Sequence, residues 1–278
     1  MPPVALTFTL DLEDHRPSDA APQRYPMLVR RLLAWLDERA IQATVFVVGE
    51  IADEHPDLLA DVAAAGHEIG LHGWTHDPLP DLGPERFAAD TAAGKERLEA
   101  VTGHEVVGYR APIFSLIPSS GWAPEVLTSL GFAYSSSVLP APNPQFGWPG
   151  APTQPFRWPS GLVELPAPIG GVGPLQAPAL GGAYLRILPW PVVQRARRQQ
   201  PSTAVPWTYC HPYDFDPDEP YWVVPEVGRP GSRLIWFNRK NMLPRLHKLF
   251  AEGSGPPLRD RARSLGGEMS TFRPEVAA

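Results

Sequence analysis

Short apolar runs alternate with amphipathic helical stretches through the first half of the chain, and this alternation restricts the possible folds more than any other feature. Residues 4–10 form an apolar, β-branched run that ends in acids, and residues 44–48, 67–71, 106–110 and 132–136 repeat the strand pattern. Between them Leu28, Leu32, Trp35 and Leu36 recur at helical spacing, and Ile51, His55, Leu58, Leu59 and Val62 predict a second helix closed by Gly66. Pro84 opens a third helix at a position where a missing N–H costs nothing, with Phe87, Thr91, Leu98 and Val101 on one face. Trp122, Val126, Leu127 and Leu130 mark a fourth, ending at Gly131. Such alternation is the mark of βα units around a parallel sheet. It leaves two architectures, a (β/α) barrel or a doubly wound sheet, and 278 residues suit a single domain of either kind.

Beyond Pro140 the pattern degrades. The chain holds 36 prolines, well above the usual share of about 5%, and they crowd between Pro140 and Pro191, which predicts long, stiff, irregular connections. Residues 162–165 and 205–210 read as strands, the second weakened by Pro206. Residues 185–197 read as a helix broken near Pro189 and Pro191, and residues 242–249 as the last helix. From 252 onward Gly, Pro and charge dominate. The expectation is a domain over 1–251 and a poorly ordered tail over 252–278.

The net charge of −6 and the lack of a basic cluster on any predicted helix argue against a nucleic-acid partner. Cys210 is the only cysteine, so no intrachain disulfide forms. The first three residues carry no basic segment, residues 4–10 are too short for the apolar part of a leader, and no stretch approaches the ~20 apolar residues of a membrane span. These features predict a soluble cytoplasmic protein.

Chemistry-bearing residues gather where strands should end, which is where parallel α/β folds place their sites. Asp11, Glu13 and Asp14 follow the first strand, and three acids in four residues are costly to hold together without a cation or a base. His72 and His76 follow the third strand, four residues apart, a spacing at which one helical turn lets both imidazoles reach one metal. With a carboxylate they make a set that leaves room for water and substrate. Arg110 ends a strand and can neutralise a carboxylate. His211 ends the late strand and suits a general acid, with Asp214 or Asp216 as its orienting partner.

Taken together, these segments resemble the NodB-like polysaccharide deacetylases, carbohydrate esterase family 4. Residues 11–14 resemble the first motif, 72–76 the H-x-x-x-H motif and 110–114 the R-x-P-x-F motif; Leu165 and Pro166 sit where a further hydrophobic motif is expected, and His211 matches the late histidine. Residues 11–14, 108–115 and 211–216, with Arg233, Asn238 and Arg239, are closest to a subgroup associated with exopolysaccharide gene clusters, whose first motif reads D-V-E-D.

The resemblance implies a single-domain, distorted (β/α)7-type barrel and a divalent metal, usually Zn2+. It implies Asp11 as base, Arg110 as its partner and His211 as acid. His72 and His76 become metal ligands with Asp14, or with Glu13 if the strand's alternation continues; Asp14 is preferred, since a loop can turn it back toward the histidines. Trp74, Pro112, Phe114 and Tyr213 are expected along a cleft for an N-acetylated glycan. Two alternatives stand beside N-deacetylation of an amino sugar: hydrolysis of C–N bonds in small amides or cyclic imides and ureides, and a catalytically silent glycan-binding barrel.

Overall fold

A computed structural model describes residues 4–172, 175–225, 227–266 and 269–274. The five early runs become β1 (Thr9–Leu12), β2 (Thr44–Val47), β3 (Glu68–Leu71), β4 (Gly108–Tyr109) and β5 (Tyr134–Ser135), each hydrogen-bonded in parallel to the next. Two further strands are β6 (Phe156–Arg157) and β7 (Val163–Glu164). β7 adds in parallel to β5, and β6 pairs antiparallel at the edge, giving the order β1-β2-β3-β4-β5-β7-β6. A hairpin of β8 (Gly170–Val172) and β9 (Leu175–Ala177) stands apart.

On the free side of β1 lies the late segment. Thr7 bridges Trp207 and Leu10 bridges Cys210, both in parallel. Pro206 is tolerated because only its carbonyl is used, accepting from the Thr7 N–H at 3.0 Å. The sheet curls around its own interior: Phe46, Tyr134, Val163, Trp207 and Leu258 share one buried cluster. Outward residues such as Leu10, Val45, Val47 and Leu71 join the helices in a larger one. The result is one α/β domain with a mostly parallel sheet. A ladder closing β6 or β7 onto the 207–210 segment is not seen among the described residues.

Prolines and glycines cut the helices where the chain lacks a donor or turns left-handed. The apolar run 51–62 is two helices, Ile51–Glu54 and Pro56–Ala64, because Pro56 restarts the second. Within Leu79–Thr102, Gly83 (φ 70°) interrupts the helix immediately before Pro84. Residues 185–197 split into Gly182–Ile187 and Trp190–Arg198 at the prolines.

The tail is a correction. In place of disorder from 252, residues Leu258–Ser264 form a helix whose start closes the N-terminal end of the sheet. Leu258 is fully buried, its N–H donates to Thr44 Oγ1 (2.8 Å), and the Arg259 N–H donates to Glu68 Oε2 (2.9 Å). Glu68 also accepts from Thr44 Oγ1 at 2.6 Å and the Tyr134 hydroxyl at 2.8 Å; burial raises its pKa against the pull of these donors. Tyr134 reaches Glu68 only because Gly108 has no side chain, since a Cβ there would lie 2.3 Å from the hydroxyl oxygen. Farther on, Phe272 packs against Trp148, Phe156 and Trp158. Composition missed this order because a few long-range contacts carry it, with no periodic signal. Leu258→Ala is expected to cost about 2–4 kcal/mol in urea unfolding. A loss below about 0.5 kcal/mol, typical of a surface position, would show that the segment is not part of the core.

Candidate active site

β1 sets the first row of the site by strict alternation. Thr7, Thr9, Asp11 and Glu13 lie on the side of the chain opposite Leu10 and Leu12, so the inward row continues past the end of the strand. On β4 the inward position after Gly108 is Arg110, which is fully buried between two aromatic rings, 4.1 Å from the Phe46 centroid and 4.2 Å from that of Trp207. Its Nη1 donates to Asp11 Oδ1 (2.5 Å) and Thr9 Oγ1 (2.7 Å), and its other nitrogens donate to Ser136. Asp11 is 3% exposed, so its charge is met by the guanidinium and not by bulk water.

The histidines come from the strand-end loop after β3. His72 Nδ1–H donates to the Arg110 carbonyl at 2.9 Å, which leaves the lone pair on Nε2. Burial pushes its pKa down to about 4, so it is a neutral ligand near pH 7. The spacing to His76 is not a helical turn as expected. Gly73 (φ 76°) and His76 itself (φ 61°) are left-handed and fold the loop back. His76 then sits 5.0 Å ring to ring from His72, with its Nε2 2.6 Å from Glu13 Oε2. Burial works against the charged form of both partners, but their mutual attraction outweighs it: His76 is raised and Glu13 is held far below the usual carboxylate range.

Donor atoms of Glu13, His72 and His76 all lie within 4.8 Å of one another. Two imidazoles and one carboxylate, with one tautomer fixed by a backbone carbonyl, form a donor set suited to a divalent ion such as Zn2+. The preference for Asp14 is therefore corrected in favour of Glu13. Asp14 instead takes a 2.7 Å ion pair from Arg16 and a 3.4 Å hydrogen bond from Gln23; burial raises its pKa, with Arg16 opposing.

His211 faces Asp11, with Nε2 4.0 Å from Asp11 Oδ2. The other ring nitrogen, Nδ1, is 3.2 Å from Asp214 Oδ2, and Asp214 is in turn clamped by the fully buried Arg186 at 2.9 Å. Arg186 also donates to the carbonyls of Ile235 (2.8 Å) and Phe237 (2.6 Å). Burial lowers the imidazole's pKa, but the Asp214 hydrogen bond and the charges of Glu13, Asp214 and Asp11 prevail and push it up to about 9. Of the two orienting partners, Asp214 is the one in contact; Asp216 is tied to Arg24. Tyr213 stacks flat on His211 at 4.7 Å.

These groups line one cavity of about 440 Å³. Phe114 and Tyr213 line it as expected, Phe114 turned in by left-handed backbone at Ile113 and Phe114 (φ 55° at each). Two expected cleft residues do not. Trp74 lies across Gly49, where a Cβ would meet its ring at 2.5 Å, and Pro112 supports the loop beneath Gly73. Both hold the histidine loop in place. The sequence had no signal for Leu139, Phe146, Tyr184, Trp222 and Ile235, which form the opposite wall. His15 also lines the cavity and pairs with Glu219 at 3.3 Å.

Two family models match the chain in tandem. Residues 3–134 match "Polysaccharide deacetylase", and residues 136–254 match "Domain of unknown function (DUF3473)". The sequence is similar to the chitooligosaccharide deacetylase of Sinorhizobium fredii, 29% identical over 119 residues, 41% of this chain and 50% of that protein. It is also similar to the peptidoglycan-N-acetylglucosamine deacetylase of Bacillus cereus, 26% identical over 96 residues, 34% of this chain and 35% of that protein. Matches to the first curated relatives span only 31%, 13% and 35% of their lengths. The fold is similar to a Mycobacterium smegmatis structure described as a polysaccharide deacetylase, with TM-score 0.61 and 20% identity over 99% of this chain and 96% of that one.

The boundary between the two matched regions falls at β5, and the cavity uses both. The region that matches the deacetylase model supplies Asp11, Glu13, His72 and His76, with Arg110 behind Asp11, while His211, with Asp214 behind it, and much of the apolar wall come from the second region. Glu13→Gln is expected to weaken Zn2+ binding to chelator-treated protein by more than about 100-fold, with Asp14→Asn near wild type in the same titration. The reverse order would return the carboxylate role to Asp14.

Proposed function

We propose that the chain hydrolyses the N-acetyl group of an amino sugar in a glycan or glycan precursor, with a divalent cation, Zn2+ by its donor set, held by Glu13, His72 and His76. The observation that carries this reading is that a carboxylate, an acid histidine and a three-donor cluster line one cavity, each of the first two held by its own buried partner. The names of the similar curated proteins support the same chemistry. Bound there, the cation would polarise the acetyl carbonyl and bring the pKa of a coordinated water toward about 7.

The chain's own residues do the proton work. Asp11 accepts the proton of the attacking water, and Arg110 keeps that carboxylate aimed into the cavity through a bond no solvent reaches. His211 protonates the departing amine, without which an amide nitrogen is a very poor leaving group. Asp214 keeps the imidazole charged and oriented for that transfer, and Arg186 keeps Asp214 in place. Phe114 and Tyr213 offer ring faces to a sugar.

Metal-loaded protein incubated with a panel of N-acetylated oligosaccharides, with cyclic imides and ureides alongside, is expected to release acetate from the sugars. Glycan binding with no acetate release would leave a silent binding barrel, and turnover confined to the imides would move the reading to small C–N substrates. Asp11→Asn is expected to lower kcat by about 10²–10⁴-fold while metal content stays unchanged.

The acid role of His211 gives a signed pH dependence. The imidazole must be protonated to work, so turnover falls as pH rises through about 9. Asp214→Asn removes the bond and the charge that hold the proton, so the basic limb of the kcat/KM profile should move to lower pH. A limb that stays in place would exclude His211 as the titrating acid.

A further inference from the structure

Outside the cavity, the most distinctive surface is built by the stretch that follows the late motif. Residues 221–224 alternate: Trp222 and Val224 line the cavity, while Tyr221 and Val223 are 49% and 40% exposed. The segment is fastened to the helix Gly228–Trp236 by the Val224 N–H donating to Ser232 Oγ (2.9 Å) and by contact of the Tyr221 and Trp236 rings at 5.3 Å. That helix is two-sided in the same way. Ile235 lines the cavity, whereas Leu234 is 51% exposed and Phe237, just beyond the helix, is 55% exposed. Arg229 and Arg233 are exposed on the helix, and they stand in the same i, i+4 row as Phe237. The face is therefore apolar and basic together.

Its charge is out of step with the rest of the protein. Between Val227 and Ala251 the sequence holds Arg229, Arg233, Arg239, Lys240, Arg245 and Lys248 and no acid, in a chain of net charge −6. Two of these are engaged internally, Arg239 with Glu219 and Arg245 with the carbonyls of Leu185 and Leu188. The other four are exposed. Exposed apolar side chains flanked by exposed Lys and Arg, with Tyr221 among them, fit an anionic lipid surface: the apolar groups enter the headgroup boundary and the cations meet lipid phosphates.

We propose that this face docks the protein on an anionic bilayer, and that the cavity behind it takes an amino sugar borne on an apolar chain. The first clause stands on the surface alone; the second rests on the deacetylase reading above. The link between them is structural. The elements that expose Tyr221, Val223 and Leu234 on one side present Trp222, Val224 and Ile235 to the cavity on the other. Where aromatic rings can stack on a sugar, the aliphatic part of that wall, Leu139, Val224 and Ile235, suits an alkyl chain. No helix of the described residues is long and apolar enough to cross a membrane.

Co-sedimentation of the full chain with vesicles tests the first clause, comparing phosphatidylglycerol–phosphatidylcholine mixtures with pure phosphatidylcholine. Binding is expected to the anionic vesicles, to fall with added salt, and to weaken by about tenfold or more in Val223→Glu/Leu234→Glu and in Arg229→Glu/Arg233→Glu. Both pairs are exposed, so acetate release from a water-soluble N-acetylated oligosaccharide serves as the folding control and should match wild type. The second clause predicts that wild type prefers an N-acetyl amino sugar on an alkyl chain to the same free sugar, by a lower KM. Equal binding to neutral vesicles, or anionic binding untouched by both variant pairs, overturns the docking. So does a wild-type dimer that Val223→Glu/Leu234→Glu converts to monomer, which would assign the face to a second copy. Vesicle binding with no acetate release from any sugar would sink the deacetylase reading and leave the docking intact.

Discussion

The Arg110 guanidinium is a fully buried cation, and the geometry of the site depends on how that charge is met. Placed between the Phe46 and Trp207 rings, it joins β4 to β1 through Thr9 and Asp11 and to the end of β5 through Ser136. A lone charge there would be prohibitive, and the Asp11 carboxylate beside it supplies the partner. The same residue acts through its backbone: its carbonyl accepts the His72 Nδ1 proton and so selects which nitrogen faces the donor cluster. One strand-end position therefore orients both the carboxylate and a ligand histidine. Lysine, a point charge without a planar fork, would satisfy neither Ser136 nor the ring stacking.

A second buried arginine repeats the device on the other side of the cavity. Arg186 holds Asp214, Asp214 holds His211, and the carbonyls of Ile235 and Phe237 hold Arg186. The two ion pairs come from different parts of the chain, the first within the region that matches the deacetylase model and the second within the region that follows it. Each keeps one titrating group from drifting toward the other, so Asp11 and His211 stay 4.0 Å apart without collapsing into a direct hydrogen bond. Across that gap the Asp11 carboxylate adds to the pull of Asp214 and Glu13 that raises the His211 pKa.

How much of this was legible in the sequence follows from the range of the interactions. The parallel order of the early strands came from local periodicity, and all five are where that periodicity puts them. The site's members were legible because strand ends carry them, but their exact use was not. The choice of Asp14 over Glu13 turned on whether the two-residue alternation continued beyond Leu12, and it does. Trp74 and Pro112 were read as cleft residues from position alone, whereas Gly49 and Gly73 draw them into support of the loop. The helical reading of His72 to His76 failed because a left-handed histidine leaves no trace in composition. The ordered tail escaped notice for a related reason: Leu258 and Phe272 fill holes made by residues more than a hundred positions away.

The apolar wall is where local reasoning has least purchase. Leu139 is held near the cavity because the Ser137 and Val138 N–H groups both donate to the buried Glu164 carboxylate, at 2.7 and 3.0 Å. The proline-rich stretch that begins there is stiff rather than loose, with Trp148 and Trp158 in ring contact at 5.7 Å. A wall built from such irregular, side-chain-anchored segments can change shape in evolution without disturbing β1, β3 or β4. The reacting groups sit on strand ends whose register is fixed by the sheet, and substrate choice is left to segments whose register is not. That separation lets the charged groups at the strand ends stay fixed while the irregular wall of the second region varies around them.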